Sequence, residues 1–417
     1  MVQINSAGSL SDIRIVDLTQ MLAGPYATMM LADHGAEVIK IEPPEGDMIR
    51  PIGPFRSDDN RKLLGGYFQS INRNKYSVCL DLKTENGRSA LLKMVAGADA
   101  IVENFRVGVM ERLGLSYEAL RAVNSKLVYA ALRGFGDERT GASPYGNWPA
   151  FDVIAQAMGG LMAVTGPDAR TPMKIGPGVG DIVPGMMLAF GILAAVHHSR
   201  RTGEGQFLDV AMADAVLALC ERTVYQHSVA GQIPGPEGNH HPFLVPFGIY
   251  PASDGFVTLA AHPQPFFETL CRALGAEDIL ADPAYASPDL RIVHRTDLIK
   301  TISERTARLT KGELTARLGG KIAYGPVMNI ADISSDPHFA ARNMIVSVEQ
   351  LGGEPIQIAG VPIKMTATPG GVHRRAPLLG ENTLERLRQA GLSETEIADL
   401  LSKRAAFAAP QEEQSSE

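Results

Sequence analysis

Residues 13–42 constrain the fold more than any other stretch. Ile13-Arg-Ile-Val-Asp-Leu-Thr19 alternates and is rich in branched side chains, as a strand is, and Met21-Leu-Ala-Gly-Pro25 then opens a helical pattern that ends near His34-Gly35. Glu37-Val-Ile-Lys-Ile-Glu42 is a second strand. Strand, helix and strand within about 30 residues make a βαβ unit, with parallel strands and a right-handed crossover. The pattern recurs, with strands over 77–82, 100–103 and 127–132 and helices over 85–96 and 117–123. The expected fold is α/β, an open doubly wound parallel sheet, whose ligands bind in the crevice at the carboxyl ends of the strands.

Between 133 and 151 the periodicity stops. Gly134, Gly136, Gly141, Pro144, Gly146 and Pro149 mark an extended loop, of a length that is often functional. A helix over 151–161 breaks at Thr165-Gly-Pro167. Gly176-Pro-Gly-Val-Gly-Asp181 follows and leads straight into the apolar run 182–196. A helix over 212–229 runs into Gly231-Gln-Ile-Pro-Gly-Pro-Glu-Gly-Asn239, a linker or lid. Beyond it, strands near 248–250 and 256–260 alternate with helices to about 321, the pattern of a smaller α+β domain. The resulting division is a large domain over 1–200, a linker helix over 201–230, the small domain over 231–325, and a return linker with terminal helices over 326–417. The polar tail 410–417 is expected to fray.

Composition narrows the function classes. At 417 residues, with 45% apolar and 20% charged side chains, the chain has room for two or three domains and shows no sign of disorder. A net charge of -7 argues against nucleic acid as a partner. Cys79, Cys220 and Cys271 are too few and too scattered for a disulfide framework or a zinc site. The first ten residues lack the basic and apolar regions of a signal peptide, so a cytoplasmic enzyme is expected. The apolar run after Asp181 contains Pro184, Gly185 and Gly191 and is shorter than the roughly 18 residues of a membrane span. It reads as a buried core helix, with no membrane partner.

Chemistry has few places to sit. A run of small residues that ends in a carboxylate at the mouth of a helix leaves Asp181 room to meet a bulky ligand, while the helix dipole favours its anion. Asp181 is thus a candidate nucleophile, or else an ordinary helix N-cap. The glycines before it lack the strand and the acidic residue of a dinucleotide site, and Gln20-Met-Leu-Ala-Gly-Pro25 in the first βα turn lacks that fingerprint too. The His197-His198 and His240-His241 pairs have no further ligand at metal spacing and read as solvated or core side chains. Near strand ends, Arg73, Lys75, Arg106 and Arg112 are candidate phosphate contacts or solvated charges.

Taken together, these pieces resemble the class III (family III) CoA-transferases, the CaiB/BaiF family. The matching segments run almost end to end: Val16-Asp-Leu-Thr19, Ala23-Gly-Pro25, Leu31-Ala-Asp-His-Gly-Ala-Glu-Val-Ile-Lys-Ile-Glu42 with Gly46-Asp47, Asn72-Arg-Asn-Lys75, Leu80-Asp-Leu-Lys83, Val102-Glu-Asn-Phe105, Gly180-Asp181, Thr202-Gly-Glu-Gly-Gln206, Asp282-Pro283, Gly325-Pro326 and Ala376-Pro-Leu-Leu-Gly380. The resemblance implies an aspartate nucleophile, at Asp181, which takes an acyl group and then CoA through a mixed anhydride and an aspartyl-CoA thioester. With the ordinary aspartate pKa of about 3.9, Asp181 would be ionised at neutral pH without a general base. Neighbouring glycine N–H groups would stabilise the developing oxyanions.

By the same resemblance, CoA contacts fall at Gln20, Met21, Leu22 and Ala23, at Lys75, at Asn104, Phe105 and Arg112, and at Met212. Asp152, Gly238 and Gln20 are supporting positions, with Asp152 equally readable as an N-cap. Gly238 lies where relatives carry consecutive glycines that this chain lacks, and Pro149 stands where some have a lysine. The family also holds α-methylacyl-CoA racemases, but their catalytic His would fall at Phe151, and Phe moves no proton. A protein that only binds CoA esters is the non-enzymatic alternative. The family fold implies a Rossmann-like large domain, a small domain and two linkers, each chain a ring in an interlocked homodimer. No permanent cofactor or metal is implied; CoA esters and small carboxylic acids are the substrates. Gly238-Asn-His-His-Pro242 with Pro246 and Phe247, and Leu290-Arg-Ile-Val-His-Arg295, look more like succinyl-CoA-dependent dicarboxylate transferases than formyl-CoA or carnitine enzymes. Arg291, His294 and Arg295 could pair with a second carboxylate or sit on the surface.

Overall fold

The structure, a computed structural model, describes residues 8–351 and 353–409, so the tail over 410–417 lies outside it. Its strands are β1 (Arg14–Asp17), β2 (Glu37–Glu42), β3 (Tyr76–Leu80), β4 (Ala100–Glu103), β5 (Val128–Arg133), β6 (Phe207–Ala211), β7 (Phe247–Ala252), β8 (Gly255–Ala260), β9 (Ala323–Pro326), β10 (Ile345–Gln350), β11 (Gly353–Ala359) and β12 (Ala406–Phe407). The chain forms two compact units. One takes the described residues up to 161, then 175–224, then those from 338 onward; the other takes 162–174 and 225–337.

The first unit is built on a seven-stranded sheet in the order β12-β3-β2-β1-β4-β5-β6, parallel throughout except for β12 at one edge. Its central strands are buried on both faces, which is why they read as continuous apolar runs. Ile15, Val38, Ala100, Val102, Val128 and Leu132 point to one side, where the Ala23–Asp33 helix and the long helix Val179–Thr202 cover them. Val16, Ile39, Ile101, Tyr129 and Ala131 point to the other, under the helices Glu85–Val95 and Tyr117–Val123 and the C-terminal pair Thr383–Gln389 and Glu394–Ser402. Each fully buried Leu or Ile, such as Leu188 and Ile192, contributes roughly 1.5–3 kcal/mol.

The long helix runs for 24 residues, more than the apolar run alone suggests, because it starts at Val179, ahead of Asp181, and continues through Arg200 and Arg201 to Gly203 in the left-handed conformation. It is therefore long and apolar enough to cross a membrane, with mean hydropathy 1.9 over its most apolar window. Yet residues buried in the core recur along it from Gly180 to Ser199, which fixes it as an element of this unit. Pro184 is the sixth residue of the helix and, having no N–H, forgoes one i→i−4 hydrogen bond there.

Two expectations need correction. The single linker helix over 201–230 does not form: 207–211 is the edge strand β6, and the helix that follows breaks at Cys220 into Met212–Leu219 and Glu221–Ala230. Asp209 hides this strand in the sequence by interrupting its apolar residues; here its carboxylate accepts from the Asp137 N–H and the Thr140 hydroxyl. The small domain also extends further than 231–325, since it includes 162–174 and the chain up to 337.

That second unit has an antiparallel sheet, β7-β8-β9, against which helices including Gln264–Ala273, Arg295–Thr306 and Lys311–Leu318 pack Phe267, Leu270, Leu298, Ile302, Leu314 and Leu318. Arg291 is fully buried and donates to Gln264 Oε1 and to the carbonyls of His262 and Tyr285, so it is a structural tie for this unit. Arg295 pairs with Glu237 at 3.2 Å.

Candidate active site

β1 and β4 are neighbours in the sheet, yet the chain leaves β1 through a helix on one face and leaves β4 through a helix on the other. Their diverging ends open a crevice, as the topology of such sheets requires. The cleft has a volume of about 270 Å³. Its walls are Gln20–Ala23 after β1, Asn104–Val107 after β4, Arg133 and Gly134 at the end of β5, and the loop 146–151, with Met48, Met212 and Asp181 completing the lining. Trp148 and Phe151 give the loop an exposed aromatic edge, and Trp148 is braced by Phe135 and Tyr145. Among the described residues no histidine lines the cleft.

Asp181 lies in the first turn of the long helix, not at its N-cap, which is Gly178. Its backbone N–H bonds the Gly178 carbonyl at 3.1 Å, and no hydrogen-bond donor among the described residues meets its carboxylate. Burial, and then the charge of Asp152, push its pKa up to about 7. This overturns the expectation of an ordinary aspartate fully ionised at neutral pH. Desolvation outweighs the helix dipole, because the N-terminal N–H of Gly180 is already taken by another carboxylate.

That carboxylate is Asp152. It stands in the first turn of the helix Asp152–Met158 but does not cap it; instead Oδ1 accepts from Gly180 N at 2.8 Å and from Gln156 Nε2 at 2.9 Å. The neighbouring helix's acid thus caps the long helix beside Asp181. Gly180 is required there, since a Cβ would lie 2.5 Å from the Asp152 carbonyl oxygen.

The Gln20–Ala23 wall is held from outside. Asn104 spends its carboxamide on Gln20, Oδ1 accepting the N–H at 2.9 Å and Nδ2 donating to the carbonyl at 2.8 Å. Met21 has φ of 67°, a left-handed conformation that costs a non-glycine residue about 1–2 kcal/mol. Beneath the wall lies a buried charge network. Lys40 pairs with Asp47 at 2.9 Å and Lys75 with Asp17 at 3.0 Å, all four side chains fully buried. Burial opposes the ionisation of Asp17, but Lys75 and Lys40 hold its carboxyl below the usual range. Glu42, clamped by Arg50, stays ionised against burial, with its pKa lowered to about 2.

Of the residues singled out in the sequence, the cleft brings together Gln20, Met21, Leu22, Ala23, Asn104, Phe105, Arg106, Asp181 and Met212. It does not include Arg73, Lys75, Arg112 or Gly238. Lys75 points into the core and also donates to Pro25 O and Asn72 Oδ1. Arg73 is buried against Asp33 at 2.8 Å. Both precede β3, and thus sit at the wrong end of a parallel strand. Arg112 is exposed at the end of the short helix Val109–Arg112. Gly238 belongs to the second unit, exposed and with φ of 62°. Tyr67 is the group the sequence did not announce: burial and then the charges of Asp181, Asp47 and Asp152 raise its phenol, so it stands within reach of that carboxylate field. Its short helix, Gly66–Asn72, carries no capping side chain to mark it. Among the described residues no group of three or more His, Cys, Asp or Glu could hold a metal ion.

A family model for CoA-transferase family III matches residues 10–383. The chain belongs to that family. This family III CoA-transferase is 50% identical over 389 residues to a succinyl-CoA:mesaconate CoA-transferase of Haloarcula hispanica, covering 92% of this chain and 97% of the relative. It is 38% identical to a succinate–glutarate CoA-transferase of Agrobacterium fabrum, covering 92% and 96%. Its fold matches the crystal structure of a CaiB/BaiF family protein from Brucella suis with a TM-score of 0.83, at 33% identity, covering 92% of this chain and all of the other.

Proposed function

We propose that this CoA-transferase moves CoA from succinyl-CoA to a second short dicarboxylic acid, with Asp181 as the carboxylate that carries the acyl group and then CoA. The observation that carries this reading is Asp181 itself, which lines the cleft at the sheet's switch point with no donor among the described residues holding its oxygens. The relatives named above, which use succinyl-CoA or succinate with a dicarboxylic partner, support the substrate class.

An Asp181 oxygen attacks the thioester carbonyl of the donor, the C–S bond breaks, and CoA leaves as thiolate from a mixed anhydride. The thiolate attacks the aspartyl carbonyl, the anhydride C–O bond breaks, and the donor acid departs, leaving an aspartyl-CoA thioester. An acceptor carboxylate attacks that thioester, and the returning thiolate completes the new acyl-CoA and frees Asp181. No proton or electron is gained or lost overall. A largely buried carboxylate that no donor among the described residues meets suits the first step. Backbone N–H groups at the start of the Ala23–Asp33 helix border the cleft and are suited to the oxyanions.

On this reading Gln20–Ala23, Phe105, Arg106 and Met212 contact CoA, and the working form is a homodimer in the cytoplasm. The dimer is supported by an apolar stripe on the long helix, Met186, Met187 and Phe190, of which Phe190 is 75% exposed. The reducing setting is supported by three free thiols.

Incubation with succinyl-CoA and hydroxylamine tests the covalent step, since hydroxylamine converts an activated aspartyl group to a hydroxamate. Mass spectrometry should find it on the peptide that contains Asp181 and not in Asp181→Ala. A hydroxamate elsewhere, or full CoA transfer by Asp181→Ala, would defeat the proposal.

A further inference from the structure

We infer that Asp47, held by Lys40, is a positioning residue that fixes Met21 in its left-handed conformation and thereby sets the Gln20–Ala23 wall of the cleft. The inference rests on reading that cleft as the CoA site.

The turn after β1 is framed by side chains and not by its own backbone. The Thr19 N–H donates to Asp17 Oδ1 at 2.9 Å, and the Thr19 carbonyl accepts from Lys40 Nζ. Both backbone polar groups of Gln20 are taken by Asn104. The Met21 N–H donates to Asp47 Oδ1 at 3.3 Å, which also accepts from Ile49 N at 3.2 Å. Asp47 is anchored in turn, by Lys40 on Oδ2 and by its own N–H on Glu42 Oε2 at 3.1 Å. Five successive backbone groups are thus pinned from three other parts of the chain.

A turn that needs a positive φ is normally given glycine. Met21 stands there instead, and its side chain packs with the small core of Met29, Ile49, Phe68, Ile71 and Ala376. The backbone conformation is therefore one that the residue resists and the frame imposes. Strain retained at a ligand cleft indicates a shape the function uses. Of the frame's members, Asp47 is the one bonded to the strained residue, and it is itself buried and paired with Lys40.

The test measures the Kd for CoA by calorimetry, alongside exchange of labelled succinate into succinyl-CoA, in Asp47→Asn, Met21→Val and the double variant Asp47→Asn/Met21→Gly. Glycine accepts the left-handed conformation unaided, and a branched residue refuses it more than methionine does. Asp47→Asn turns an amide N–H toward the Lys40 ammonium in place of Oδ2 and so removes the anchor that holds Oδ1 on the Met21 N–H. It should weaken CoA binding about tenfold or more, Met21→Val should do the same with the Lys40–Asp47 pair intact, and the double variant should recover to within about threefold of the native chain. Circular dichroism and melting curves identify any variant that fails to fold; should Asp47→Asn be one, Met21→Val decides alone. Wild-type affinity in Met21→Val, or a double variant no better than Asp47→Asn, would overturn the inference. Because the Kd needs no turnover, a native chain that binds CoA but exchanges no succinate would count against the proposed reaction and leave this inference standing.

Discussion

Replacing Asp152 by asparagine separates the two causes that raise the Asp181 carboxyl. In the native chain its pKa moves from 3.8 to about 7, of which burial is the larger part and the Asp152 charge the smaller. At ~1.36 kcal/mol per unit the displacement corresponds to about 4 kcal/mol, an upper figure for a side chain that is only partly buried. If the ionised carboxylate is the nucleophile, kcat/KM for succinyl-CoA rises with pH up to a plateau above about 7, and falls about tenfold per unit below about 6. Asparagine keeps the Oδ1 that accepts the Gly180 N–H at 2.8 Å and the Gln156 amide at 2.9 Å, and removes the charge together with the Oδ2 contact to Gln156 at 3.0 Å. The acid limb should therefore shift to lower pH by less than half of the total displacement, because the larger cause is untouched. Measuring kcat/KM between pH 4.5 and 8.5 in both proteins decides it, with those limits set by about 1.5–2.5 units on either side of the native midpoint. A native limb centred near 4, or an unchanged limb in Asp152→Asn, would refute the reasoning.

The same shift fixes the sign of a stability effect. The folded chain binds the Asp181 proton up to about pH 7, while the unfolded chain releases it near 3.8. In that window the folded state holds more protons, so the contribution is fully present below the unfolded value and is lost as pH rises through the folded one. Asp181→Asn, which carries no charge at any pH, should melt higher than the native chain at pH 8 and show little difference at pH 4.

Two further predictions concern side chains that look alike in the sequence. Lys75→Met leaves Asp17 buried without its partner and should cost about 3–5 kcal/mol of stability, read in denaturant unfolding, whereas Arg106→Ala should leave stability within about 0.5 kcal/mol and raise KM for acyl-CoA, most at low salt. Phe190→Glu places a charge on the exposed apolar stripe of the long helix; it should shift sedimentation from dimer toward monomer, and an unchanged sedimentation coefficient would remove that stripe from the interface.

What the sequence disclosed, and what it withheld, follows from how far each interaction reaches along the chain. β4 and β5 were legible as apolar runs because both their faces are buried, β1 and β2 because branched residues dominate them between charged ones, and the Asp181 segment because a run of small residues ends there in a carboxylate ahead of an apolar helix. β6 and β12 were not, since they join the sheet by pairing with β5 and β3, and nothing in five or two residues states a partner so far away. The site divides along the same line. A basic residue near the end of a strand gives no sign of whether it faces a ligand or, as Lys75 does, an acid 58 positions earlier, so Lys75 and Arg106 read alike until the fold put one in the core and the other in the cleft. The raised pKa of Asp181 was equally out of reach, because it depends on Asp152 capping the helix of another segment and so adding its charge beside a carboxylate with no donor of its own. Sequence alone can single out a carboxylate; its ionisation is a property of the packing around it.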